Sequence, residues 1–200
     1  MKNSFCILGL FFLGVLLGKI GYLPSFLLHE DYTTLVLYLL MFLVGMQIGS
    51  DQNFFSSLKN LKKTYFLLPL ATIFGTLAGV AIASFWTSRW SLSDCMAVGS
   101  GFGYYSLSSI LITQSKGIEL GSIALISNII RELFALSCAP LLAKFTGKLS
   151  PISVGGATTM DTTLPVILRY SGKEYLVVSI FHGFVVDFSV PFLVSFFCSI

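Results

Sequence analysis

Two carboxylates in apolar surroundings give the first chemical signal in this 200-residue chain: Glu132 in SNIIRELFALS (127–137) and Asp161 in GGATTMDTTLP (155–165). A charge at the centre of a bilayer costs from about 2.5 kcal/mol upward unless it is paired or faces water. Such a residue is kept to bind a cation or proton, or to lock the fold through an ion pair. Arg131 adjoins Glu132 in sequence, but on a helix it points about 100° away, whereas Asn128 and Glu132 lie four apart on one face. Arg131 needs a partner from elsewhere, and Asp161 is the candidate. One arginine facing two acids leaves a carboxylate free for a cation or proton; the alternative is a purely structural pair. His182, in FHGFVVDF (181–188), is a candidate proton relay or a satisfied structural donor, and Asp187 lies about 140° round the helix from it, so the two make no obvious pair.

Two stretches have the composition to surround these charges. GSGFGYYSLSS (99–109) gathers three glycines, two tyrosines and four serines, and 155–165 combines Gly155 and Gly156 with four threonines and Pro165. Glycine and proline loosen or forbid a regular helix, and hydroxyls compete for backbone groups. Irregular backbone at membrane depth survives only against protein or a water-filled cavity, and transporters build midplane sites from such pairs of segments. The alternative for both is a small-residue packing face or an ordinary loop.

The elements that carry them are membrane helices. With 55% hydrophobic residues, 10% charged residues and a mean hydropathy of +0.88, the composition excludes an ordinary soluble domain. Apolar runs at 3–22, 33–48, 64–85, 120–143 and 175–197 predict about five transmembrane helices. The first reads as a retained helix and not as a cleaved signal peptide. Segments 95–114 and 152–168 are each a weak span or a re-entrant hairpin. If both are re-entrant, the cytoplasmic side holds Lys2, Lys59, Lys62, Lys63, Lys144, Lys148, Arg169 and Lys173 against Arg89 and Lys116 outside, which obeys the positive-inside rule. A full crossing by the first segment destroys that bias. The expectation is one all-α, polytopic transmembrane domain over 1–200, with five spans and two re-entrant or broken segments.

Other chemistry finds little support. The cysteines Cys6, Cys95, Cys138 and Cys198 are scattered singly, without zinc or dithiol spacing, so no metal or cofactor is expected. The net charge of +3 is spread over short loops and forms no nucleic-acid patch. A hydrolase using Ser106 and His182 would lack any nucleophile motif, so an enzyme is not expected. A non-transporting membrane subunit remains the other class.

The motifs SGFGYYSLSSILITQSKG, ISNIIRELFAL, GGATTMDTTLPV and VVSIFHGFVVDFSVPFLVSFF resemble, in order and spacing, the bacterial lysine exporter family LysO, over the C-terminal two-thirds of its longer members. The resemblance implies export of L-lysine and of analogues such as thialysine across the inner membrane, and a pair of membrane-embedded acids that fall on Glu132 and Asp161. Longer members carry further spans ahead of the matched region, which implies that a separate small membrane protein supplies them or that a homodimer does without them. Where some members have an acid, this chain has Asn128. Moving lysine's net positive charge outward costs about 2.3 kcal/mol per 100 mV, so coupling to protons is expected. The expected site joins Glu132, Asp161, Arg131 and Asn128 to Gly103, Tyr104 and Ser106, to Thr158 and Thr159, and to His182, with the loosened backbone at 101–106 and 155–159 gripping the substrate carboxylate. Export of another cationic amino acid or organic cation is the alternative.

Overall fold

The computed structural model describes residues 63–200, together with 13, 14, 16–20, 35, 39, 42, 46 and 50. Met1–Ser50 and Asp51–Ile200 are separate compact units, and the following concerns the second. The expected spans at 3–22 and 33–48 are described only at those scattered positions, all helical, and Lys59 and Lys62 lie outside the described residues.

A 3-10 turn (Lys63–Phe66) leads into α1 (Leu67–Ser84), followed by α2 (Leu92–Gly99), α3 (Tyr105–Lys116) and α4 (Ile118–Phe145). Then come α5 (Ser150–Gly155), a 3-10 stretch (Gly156–Met160), α6 (Leu164–Tyr170), a 3-10 turn (Lys173–Tyr175) and α7 (Leu176–Ser199). There is no strand among the described residues. Three helical stretches are long and apolar enough to cross a membrane: Lys63–Ser84, Ile118–Phe145 and Lys173–Ser199, of 22, 28 and 27 residues. They coincide with the expected spans at 64–85, 120–143 and 175–197, and the chain is an all-α membrane protein. Their outer faces expose large apolar side chains such as Phe74, Ile130 and Phe188, which suit lipid and not water.

Both glycine-rich segments are broken helices that fold back on themselves. In the first, α2 starts with a capping box: the Ser91 hydroxyl accepts from the Asp94 N–H, and the Asp94 carboxylate accepts from the Ser91 N–H, each at 3.1 Å. The chain turns at residues 100–104, where Phe102 (φ 45°) and Gly103 (φ 96°) are consecutive left-handed residues, and α3 runs back. Its last residue, Lys116, meets Asp94 at 3.3 Å, and just outside them Arg89 meets Glu119 at 2.8 Å. Entry and exit of this hairpin therefore lie together.

The second hairpin repeats the design from the other end. Its arms are α5 and α6; Lys148 Nζ, just before α5, donates to the Tyr170 carbonyl at 2.7 Å. Ile152, Ile167 and Val178 form the core at its base, packed by Leu149, Tyr65 and Tyr175. Tyr65 and Tyr175 precede α1 and α7, so the second hairpin opens at the start of those helices, whereas the first opens beyond the end of α1. The two tips touch: the Ala157 N–H donates to the Phe102 carbonyl at 3.0 Å. Gly156 makes this approach possible, because a Cβ there would stand 2.1 Å from that carbonyl oxygen.

Candidate functional site

The tip of the first hairpin is held by Asn128, buried on α4. Its Oδ1 accepts from the Gly103 N–H at 2.7 Å, and its Nδ2 donates to the Ala124 carbonyl at 2.9 Å and reaches Ser108 Oγ and the Val98 carbonyl at 3.4 Å. Of Gly101 and Gly103, Gly103 is the one with a positive φ. The remaining amides of the turn are engaged locally: those of Gly101, Phe102, Tyr104 and Tyr105 donate to the carbonyls of Val98, Gly99, Gly101 and Gly103. Of the backbone expected to grip substrate at 101–106, the amides of 101–105 are engaged by the turn itself and by Asn128.

The second tip is saturated in the same way. Thr158 Oγ1 donates to the Gly155 carbonyl at 2.9 Å, and Thr159 Oγ1 lies 2.9 Å from the carbonyls of both Gly156 and Ser179. His182, fully buried on α7, bridges Thr159 Oγ1 (3.2 Å from Nδ1) and Thr72 Oγ1 (2.9 Å from Nε2), and Thr72 in turn meets Ser153 Oγ at 2.7 Å. The network fixes the tautomer. The single hydrogen of Thr159 serves a carbonyl, so its oxygen accepts from His182 Nδ1–H, leaving Nε2 to accept from Thr72. The structure thus places His182 and Thr159 in a closed hydroxyl network joining α1, α7 and the second hairpin, and Thr158 in bonds to Gly155 and Thr163 within that hairpin.

Arg131 does not pair with Asp161. Its Nε donates to the Val154 carbonyl at 3.0 Å and its terminal nitrogens to the Ser153 carbonyl and Thr76 Oγ1 at 3.3 and 3.2 Å, with the guanidinium 5.9 Å from the centre of the Phe102 ring. The reason is physical: the break at Gly156 ends α5 and frees its last carbonyls, and a cation near a helix C-terminus satisfies them. The expected ion pair is replaced by a cation cap.

The acids gather around Glu132, about 100° round α4 from Arg131. Asp161 closes the 3-10 stretch and accepts from both the N–H and the hydroxyl of Thr162. The Thr162 side chain also lies against Glu132, which is near enough to Asp161 for their charges to repel. Asp187 is a third acid in the same region, near enough for its charge to act on Asp161 and Tyr104. Its position follows from packing. A Cβ at Gly183 would lie 2.8 Å from the Met160 nitrogen and Thr159 Oγ1, so α7 runs tight against the 3-10 stretch and brings Asp187, one turn on, beside Asp161. Tyr104 and Tyr105 at the start of α3 complete the group, Tyr105 within reach of Glu132 and Asp161. Ser106 is half-buried in the same first turn. Among the described residues no basic side chain comes within 4.0 Å of these three carboxylates.

Of the residues expected at the site, Glu132, Asp161 and Tyr104 come together here. Asn128, Gly103, Thr158, Thr159 and His182 build the tips, and Arg131 faces away. Thr162, Tyr105 and Asp187 were missed. Asp187 had a usable signal, a charge inside an apolar span; the other two are ordinary until the hairpins are folded.

A family model described as lysine exporter LysO matches residues 8–198. The lysine exporter LysO of Escherichia coli K12 is 34% identical over 199 residues, covering 98% of this chain and 64% of that protein. A putative lysine exporter of Haemophilus influenzae is 35% identical over 166 residues, covering 82% of this chain and 83% of that protein. The chain therefore spans less than two thirds of the length of the E. coli relative. No solved structure matches it significantly.

Proposed function

The chain belongs to the lysine exporter LysO family, and from that premise we propose that it is a secondary transporter exporting L-lysine, and analogues such as thialysine, in exchange for protons. The observation that carries this reading is that Glu132, Asp161 and Asp187 lie near one another beside the touching hairpin tips with no basic side chain within 4.0 Å among the described residues, while Arg131 caps the end of α5. Glu132 and Asp161 hold either the ammonium groups of lysine or protons. Because the two occupants compete, lysine leaves as protons enter, and the inward proton offsets the cost of moving a cation outward.

The carboxylate of lysine needs donors, and the sealed amides of 101–105 leave it the first turn of α3. The amides of Ser106 and Leu107 precede the first regular bond of that helix, Ser108 N–H to the Tyr104 carbonyl at 3.2 Å. They lie at its positive end, and the hydroxyls of Tyr104, Tyr105 and Ser106 share that turn. Gly103 and Asn128 set its direction, while Thr158, Thr159 and His182 hold the second tip against it.

In this reading both hairpins are re-entrant, from opposite faces of a bacterial inner membrane that the chain crosses several times. Lys63, Lys144, Lys148, Arg169 and Lys173 cluster at the end where the second hairpin opens, against Arg89 and Lys116 at the other, which makes the former cytoplasmic.

Counterflow of labelled lysine, arginine and ornithine in proteoliposomes, with and without a pH gradient, tests this. The expected result is lysine exchange accelerated by inward proton flow. Preference for another cationic amino acid would replace the substrate, and a rate indifferent to the gradient would remove the proton coupling.

A further inference from the structure

Arg131 caps α5 with only part of its hydrogen-bonding capacity. A guanidinium carries five N–H donors. Val154, Ser153 and Thr76 accept one each, so two have no protein acceptor among the described residues. Its charge is also largely unbalanced. No carboxylate lies within 4.0 Å among the described residues, and the carbonyls at a helix end offset at most about half a unit charge.

This group forms a wall shared by two cavities. One, of about 350 Å³, lies between α1, α2 and the first half of α4, where Val80, Ala83, Trp90, Ile123 and Ser127 line it. The other, of about 330 Å³, lies beside α1 and α5, with Thr72, Gly75 and Ser153 in its lining. Thr76 and Arg131 belong to both. The larger cavity is mostly apolar, and among the described residues Arg131 is the only charged one on its walls. It has room for about ten water molecules, and so for a short carboxylate with its apolar chain.

An apolar pocket, open on one side, whose wall holds a cation with spare, roughly coplanar donors matches a carboxylate on a short apolar chain. The two oxygens take the guanidinium hydrogens, and the chain displaces water from the walls. Among the described residues an ammonium group finds no acidic partner there, which separates this pocket from the site of the three carboxylates. We propose that the cavity between α1, α2 and α4 is a second site, which binds small apolar monocarboxylates through Arg131.

The chain has two tryptophans, Trp86 and Trp90, so Trp86→Phe leaves one reporter, in the cavity wall. Acetate, propionate, butyrate and pentanoate are titrated against this protein, full-length and in lipid nanodiscs. The expected result is a saturable change in Trp90 fluorescence that tightens about fourfold with each added methylene. Arg131→Gln should weaken binding at least about tenfold, in line with loss of a charged hydrogen bond. Ser127→Phe, which fills the cavity and leaves the cap on α5 intact, should do the same if Arg131→Gln does not fold. Butylammonium and lysine should not displace butyrate. A non-saturable response, one equal in both variants, or displacement by lysine would overturn the assignment. None of these readouts depends on transport, so the site stands or falls separately from the exporter reading.

Discussion

Replacing Gly156 by alanine should separate the hairpin tips. The residue has φ 63°, and the new methyl carbon would stand 2.1 Å from the Phe102 carbonyl oxygen and 3.3 Å from an Arg131 nitrogen. A left-handed conformation costs an L-residue about 1–2 kcal/mol. Since the clash is with backbone, relief requires the tips to part, which loses the Ala157 to Phe102 hydrogen bond, worth about 1 kcal/mol. The sum is about 2–3 kcal/mol, or roughly 4–12 °C in Tm for a chain of this size. Gly147 is the control, having φ 100° with nothing within 4 Å of a Cβ, so Gly147→Ala should show the conformational cost alone. Thermal unfolding of both purified variants, followed by tryptophan fluorescence, makes the comparison. Equal shifts would refute the tip contact as a source of stability.

Further outcomes follow from the same contacts. Asn128→Ala leaves the Gly103 N–H without its buried acceptor and should destabilise by about 1–3 kcal/mol, read as a lower Tm. Thr72→Val removes the donor to His182 Nε2; it should lower Tm by a similar route while the pH profile of lysine export keeps its shape, and a displaced profile would make His182 a proton relay. Single cysteines at Lys144 and Lys148, in a cysteine-free background, should resist an impermeant maleimide added outside intact cells; ready labelling would invert the orientation.

The sequence was most readable where cost is local. Apolar length placed the three long helices, and the density of glycine, serine and threonine marked both hairpins, drawn at 95–114 and 152–168 where the arms run over 92–116 and 150–170. The expense of burying charge singled out Glu132 and Asp161. Partners were harder, because they depend on which backbone groups folding leaves unsatisfied. Pairing Arg131 with an acid is reasonable from charge alone, but the carbonyls released at the end of α5 exist only once Gly156 has broken the helix. Thr158 and Thr159 have the chemistry of substrate ligands and spend it on Gly155, Gly156 and Ser179. Asp187 was visible as a charge, but its nearness to Asp161 comes from the bare surface of Gly183 one turn away.

The most direct measurement is lysine flux driven by a pH gradient in proteoliposomes containing wild type, Glu132→Gln or Asp161→Asn, normalised to folded protein. Each amide keeps the shape of its acid and removes the charge for which lysine and protons compete. Loss of a charged hydrogen bond of about 1.5–3 kcal/mol predicts flux reduced roughly 10- to 100-fold at unchanged Tm. Flux that persists in both variants, or that falls only as far as the amount of folded protein, would contradict the account.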